Sequence, residues 1–137
     1  MTSAPLPPVQ RDEASAEFFD AAADGRLLLR RCTACGHVRS PEVPMCTDCI
    51  SEASEWLDAA GTGHVESWVV IHTKPGADGS GPEPRVVVTV ELAEGPWMVS
   101  ALMGVPADAV TGGMPVVVGF ERPEGGEAMP VFRPAPA

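Results

Sequence analysis

A mainly β chain, with one N-terminal helix, a metal-held ribbon and a small closed barrel, is the fold class that the sequence predicts. Three observations predict it. The chain's four cysteines, Cys32, Cys35, Cys46 and Cys49, form two Cys-x2-Cys pairs. From Glu55 onward the apolar pattern is that of short strands broken by Gly and Pro turns. Ahead of the cysteines, an alanine-rich stretch ends at Gly25.

Residues 1–11 (MTSAPLPPVQR) are rich in proline and small side chains and read as a flexible arm. Residues 12–25 read as a docking helix. Alanines dominate it, acidic residues occupy its first turn, and Gly25 stops it. Ala14, Phe18, Ala21 and Ala22 share a face. So short a helix must dock, either on its own domain or on a partner. Residues 26–54 form the ribbon, entered by a short strand over RLLLRR. Residues 55–137 form the barrel.

Within the barrel region, Glu55 to Asp58 reads as the start of a strand that Gly61-Thr62-Gly63 kinks or bulges before it continues from His64 to Thr73. Pro75 to Pro84 is a loop. Arg85 to Leu92 is the clearest strand, with Val86, Val88, Val90 and Leu92 on one face. A turn at 93–96 leads to its hairpin partner, Trp97 to Met103. A connector over 104–113, with room for one helical turn, leads to Met114–Glu121, and Met129–Arg133 completes the set. Five short strands with glycine kinks suit a five-stranded OB-type Greek-key barrel; a small sandwich fits the same pattern.

The cysteine spacing carries the most specific chemistry. Each Cys-x2-Cys pair makes a knuckle that turns two thiolates toward one ion, and two knuckles supply a tetrahedral S4 set. Four thiolates leave no open position, so the metal is structural, and zinc suits cytosolic thiols because it is redox-silent. An iron site of rubredoxin type uses the same ligands. His37, beside the first knuckle, is surplus and reads as a surface residue.

Other chemistry is sparse. The net charge of −10, with Lys74 the sole lysine and no tyrosine, opposes nucleic-acid binding. No apolar run approaches the ~20 residues of a membrane span, and no secretory signal is visible, so the expected compartment is the cytoplasm. No nucleophile–base constellation, P-loop or dinucleotide fingerprint appears, and no catalytic residue is assigned. His64 and His72 share parity on one expected strand but stand too far apart to act together. Trp56, Trp68 and Trp97 read as core or interface residues. Arg26, Arg30 and Arg31 form a basic cluster, suited to a phosphate, an acidic partner or a solvated face.

Taken in order, these residues carry a family pattern. Phe18-Phe19 precede Gly25-Arg26-Leu27-Leu28; Arg31-Cys32-Thr33-Ala34-Cys35-Gly36 follows; Pro41 and Pro44 lead to Cys46-Thr47-Asp48-Cys49. Glu55-Trp56 comes before Gly61-Thr62-Gly63-His64-Val65, and Val131-Phe132-Arg133-Pro134 lies near the end. The chain resembles the zinc-ribbon-containing OB-fold proteins associated with acyl-CoA enzymes, with a rubredoxin-like ribbon. The second knuckle departs from the pattern: Cys-Thr-Asp-Cys-Ile stands where a proline and a small residue are more usual. The resemblance implies a non-catalytic subunit that completes a thiolase-like or lipid-transfer-type enzyme, a thiolase or a retro-aldolase of fatty-acyl or steroid side-chain breakdown. A hot-dog-fold enoyl-CoA hydratase is the alternative partner. It also implies a hetero-oligomer, structural zinc, and a coenzyme A ester shared with the partner. Two other functions stay open: a stand-alone acyl-CoA carrier and, against the charge, a nucleic-acid-binding barrel.

Overall fold

The computed structural model describes residues 10–13, 15–72 and 84–136. All but the last residue of the expected loop over 75–84, and most of the expected arm over 1–11, lie outside them. Among the described residues, one helix, α1 (Ala16–Ala23), is followed by eight strands: β1 (Leu28–Cys32), β2 (Val38–Arg39), β3 (Ser54–Asp58), β4 (Thr62–Ile71), β5 (Arg85–Leu92), β6 (Trp97–Leu102), β7 (Pro115–Glu121) and β8 (Met129–Pro134).

The helix is shorter than its composition suggests because Asp12 and Ser15 bond to each other ahead of it. The Ser15 amide donates to Asp12 Oδ1 at 2.9 Å, and the Asp12 amide donates to Ser15 Oγ at 3.0 Å. Such local side-chain bonds compete with helix propagation. At the other end the Arg26 amide reaches back to Ala21 and the Gly25 amide to Ala22, a Schellman turn. Phe19, Ala21 and Ala22 are buried, and the helix lies against β8 and β1. The dock that so short a helix needs is therefore found within its own chain.

β1 is the centre of a three-stranded antiparallel sheet ordered β2-β1-β3. Here one reading from the sequence is corrected. Residues 55–58 do not begin the first barrel strand; they pair with β1, Leu29 opposite Leu57 and Arg31 opposite Glu55. The ribbon takes that segment because β1 has a free edge, while the extended run ends ahead of Gly61, whose φ is 83°.

β4 to β8 close a barrel in the order β4-β5-β6-β8-β7. β7 returns to β4 through pairs such as Gly63 with Val116. The barrel's remaining seam is thin. β6 and β8 run parallel and share a single register pair, Leu102 with Phe132. Next along β8, Pro130 has no N–H to offer, and Ser100 Oγ donates instead to the Pro130 carbonyl.

Val65, Val86, Val88, Val90, Leu92, Met98, Leu102, Val116 and Phe132 fill the barrel. Leu27 and Leu29, from the ribbon side, belong to the same cluster. Ribbon and barrel thus share one core. The single helical turn expected in the connector is a short 3-10 segment at Ala107–Ala109.

The expected bulge is displaced. The register of β4 on β5 shifts between Val65 and Ser67, not at the Gly-Thr-Gly run. Gly63 serves close approach instead: a Cβ there would stand 2.6 Å from Val90 Cγ1 and collide with the Glu91 carbonyl. The bulge also reverses parity along β4, so His64 and His72 no longer share a face. His64 sits opposite Glu91, and His72 lies past the strand's end.

Candidate functional site

The two cysteine knuckles are built alike. In the first, the Gly36 amide donates to the Cys32 carbonyl at 2.8 Å and the Cys32 amide to the His37 carbonyl at 2.8 Å. In the second, the Ile50 amide donates to the Cys46 carbonyl and the Cys46 amide to the Ser51 carbonyl, each at 2.9 Å. The residue after each pair must adopt a left-handed backbone. Gly36 does so with φ of 83°, at no steric cost. Ile50 does so with φ of 67°, an unusual posture for a β-branched residue.

The knuckles bring the four sulfurs together. Cys32 Sγ lies 3.6 Å from Cys49 Sγ, and Cys35 Sγ lies 3.5 Å from Cys46 Sγ. All four lie within 4.8 Å of one another. A disulfide needs about 2.05 Å, so these are four free thiols. A tetrahedral site with bonds of about 2.3 Å has sulfur–sulfur edges of about 3.8 Å, which the observed spacing fits. Cys32 and Cys46 are buried, and Cys35 and Cys49 face solvent.

The backbone prepares two of these thiols for ionisation. The Cys35 amide, helped by that of Ala34, pulls Cys32 down to about 6. The Cys49 amide, with that of Asp48, lowers Cys46. Cys35 and Cys49 move the other way. Although the His37 amide favours the Cys35 thiolate, the neighbouring sulfurs of Cys46 and Cys49 push it up to about 12. The Ser51 amide likewise favours the Cys49 thiolate, but the sulfur of Cys32 outweighs it. Four thiolates in one shell repel each other, and a divalent cation relieves that repulsion. His37 stands outside the sulfur cluster, with Nδ1 3.2 Å from Asp48 Oδ2.

Arg39 lies within the expected ribbon, but its role there is not visible from the sequence. Its side chain is buried, donates from Nε to the Val43 carbonyl at 2.9 Å, and pins the turn that leads into the second knuckle. No spacing marks it out; a lone arginine between two cysteine pairs reads as solvated.

The basic cluster is engaged within the chain. Arg26 bonds Asp58 at 2.9 Å, and Arg31 pairs with Glu55. Arg30 donates from Nε to the Pro41 carbonyl at 2.9 Å and stacks over the Trp56 ring, 4.0 Å from its centroid. Each of the three thus already has a partner within the chain.

Beside Arg30 opens a cleft of about 520 Å³, where helix, ribbon and barrel meet. Phe18, Phe19, Trp56, Met98 and Met129 give it apolar walls, with Asp12 and Glu42 among its polar lining. Such a volume lies within the range of small-molecule sites. Among the described residues, no helix is long and apolar enough to cross a membrane.

This geometry has relatives. Residues 19–55 match the ChsH2 rubredoxin-like zinc ribbon domain, and residues 56–121 match the ChsH2 C-terminal OB-fold domain. A solved structure of an Ltp2-ChsH2(DUF35) aldolase superposes with a TM-score of 0.77 at 40% identity, covering 96% of this chain and 100% of that one. A protein of the DUF35 family from Sulfolobus solfataricus, of unknown function, shares the fold at a TM-score of 0.62 and 13% identity, covering 90% of this chain and 86% of that one. A probable enoyl-CoA hydratase alpha subunit from Thermomonospora curvata is 40% identical over 131 residues, which are 96% of this chain but 40% of that protein's length. A DUF35 domain-containing scaffold protein from Pyrococcus furiosus is 32% identical over 84 residues, 59% of each chain. The chain belongs to the ChsH2-type DUF35 family, in which a rubredoxin-like zinc ribbon leads into an OB-fold domain.

Proposed function

We propose that the chain is a non-catalytic accessory subunit that binds and completes a cytoplasmic acyl-CoA enzyme of thiolase fold, one that performs thiolysis or retro-aldol cleavage. One observation carries this reading: the match at 40% identity to the whole of a chain of the Ltp2-ChsH2(DUF35) aldolase. The residues agree with it, since the site they build is a closed S4 shell rather than one with an open position. Cys32, Cys35, Cys46 and Cys49 hold one structural zinc, which supplies folding energy to the ribbon.

Within the complex the chain helps to position the CoA ester. The cleft beside Trp56 offers apolar walls to a neutral part of that ester. The cations for the CoA phosphates come from the partner, because Arg26, Arg30 and Arg31 are already paired or stacked. A hydratase partner is the second reading, favoured by the hydratase alpha subunit that shares 40% identity.

The test is affinity capture of the tagged chain from its native lysate, with the bound proteins identified by mass spectrometry and metal measured by plasma emission. A stoichiometric thiolase-like subunit and one zinc per chain are expected. A hydratase subunit in its place selects the second reading. A zinc-loaded monomer that turns over an acyl-CoA unaided sinks both.

A further inference from the structure

Two arginines of the ribbon stand apart. Arg11, Arg26, Arg31 and Arg133 each meet a carboxylate. Arg30 and Arg39 meet none among the described residues, in a chain with 19 acidic residues and 9 basic ones. Their hydrogen bonds go to the carbonyls of Pro41, Val43 and Pro44 and to the Ser54 hydroxyl. Acids of the ribbon are engaged elsewhere: Glu55 by Arg31, Asp58 by Arg26, Glu42 by Ser40 and Asp48 by His37. Arg39 is only 4% exposed, and its Nη1 is buried without a hydrogen-bond partner among the described residues. A buried cation without a counter-charge is costly, so its presence calls for one.

The register shows what lies on their side of the sheet. Side chains alternate along a strand, so Arg30 and Cys32 share one face of β1, while Arg31 and its partner Glu55 take the other. Arg39 is the cross-strand neighbour of Arg30 on β2 and joins that face. Arg30 Nη1 donates at 3.3 Å to Ser54 Oγ, and Ser54 is the residue opposite Cys32. The Arg30 guanidinium therefore reaches along the face toward the sulfur end of the sheet. Arg39 clasps the Val43 and Pro44 carbonyls, just ahead of Cys46. Cys32 and Cys46 are the two buried members of the sulfur cluster. Each cation thus stands on the approach to one buried sulfur.

We infer that Arg30 and Arg39 are the counter-cations of the four-sulfur site and bias it toward a divalent ion. Four thiolates around a divalent cation leave two negative charges over, which two guanidinium groups match; a trivalent cation leaves one. Arginine suits the task, because it stays charged when buried and does not give up its proton to a thiolate. Attraction between charges needs no hydrogen bond, which accounts for an Nη1 that makes none. The role rests on the metal reading above and holds whichever enzyme the chain accompanies.

The test loads the full chain with iron in place of zinc, because iron takes the same four sulfurs and its ferrous and ferric forms differ by one charge. Arg30→Gln and Arg39→Met each remove one cation. Each should shift the ferrous-to-ferric affinity ratio about tenfold toward ferric, read by spectroelectrochemistry as a potential about 59 mV lower. Arg30→Lys and Arg39→Lys keep the charge but lose the fork of hydrogen bonds, and should stay within about threefold of the wild-type ratio. Zinc, read by competition with a chromophoric chelator, should weaken about tenfold or more in the neutral variants. Potentials of the neutral variants at or above wild type overturn the assignment. So does an equal fall in the lysine variants, which traces the effect to lost hydrogen bonds instead of lost charge. If Arg39→Met holds no iron, Arg30→Gln decides alone, since Arg30 is only half-buried. A wild-type chain that holds neither metal sinks the metal reading itself, and this role with it.

Discussion

Gly36 and Ile50 occupy equivalent places in two matching knuckles, which makes them a natural pair for measuring backbone strain. A Cβ placed on Gly36 meets nothing within 4 Å, so Gly36→Ala probes conformation alone. A non-glycine residue in the left-handed region costs about 1–2 kcal/mol. Removing glycine's freedom from the unfolded chain recovers about 0.4–1 kcal/mol. The net loss for Gly36→Ala is about 1 kcal/mol. Ile50→Gly runs the other way. It relieves strain near the upper end of that range, because Ile is β-branched, and it surrenders about 0.5–1 kcal/mol to unfolded-state entropy. Ile50 is 66% exposed, so about a third of a burial worth about 1.5–3 kcal/mol is lost with the side chain. The sum is near zero to slightly stabilising, for the removal of four carbons. Two assays read it: thermal unfolding of the zinc-loaded protein, and zinc competition against a chromophoric chelator. Gly36→Ala should lower the midpoint by about 3–5 °C and weaken zinc about fivefold, while Ile50→Gly should leave both at or above wild type. Equal losses at the two sites would refute the strain argument.

Three further outcomes follow from other parts of the chain. Gly63→Ala should destabilise by at least about 2–3 kcal/mol, because its Cβ collides with backbone rather than with a movable side chain; denaturant unfolding reads this directly. Arg11 holds the Glu127 carboxyl below its ordinary value of 4.5, through bonds of 3.1 and 2.9 Å. A carboxyl depressed in the folded state stabilises above its unfolded value and loses that contribution as pH falls through the folded one. Glu127→Gln should therefore flatten the acid limb of stability below about pH 4.5 and speed amide exchange at Gln10 and Arg11. Stripping zinc with a chelator should unfold the ribbon and lower the barrel's melting temperature with it, since Leu27 and Leu29 belong to the barrel's core. A barrel that melts unchanged without zinc would refute that coupling.

The parts of this fold that were legible in the sequence are those governed by short-range rules. Period-two runs place β5 and β6, turn residues place their hairpin, and cysteine spacing places the sulfurs that the structure finds within 4.8 Å of one another. Pairing choices were not legible. Whether residues 55–58 join the ribbon or the barrel depends on which neighbour has a free edge, a fact that lives in three dimensions. The bulge in β4 belongs to the same class: one extra residue between Val65 and Ser67 turns His72 off the face expected for it, and no local residue announces it. Arg39 and the committed arginines of the ribbon were illegible for a different reason. Their partners are backbone carbonyls at Val43 and Pro41 and acids from β3, which approach only once the sheet has formed.

The thin seam between β6 and β8 has a consequence for how the molecule breathes. Four of the barrel's five joints are laced by several pairs, while this one is held by Leu102 with Phe132, the Met103 amide on the Phe132 carbonyl, and one serine hydroxyl. Local opening takes the path that breaks the fewest bonds. The barrel is thus better described as a rolled sheet with a latch than as a uniform cylinder, and the latch lies beside the cleft that Met98 and Met129 line. Native-state hydrogen exchange should find the Met103 amide released well before those of β5, by an opening that leaves the other four joints intact.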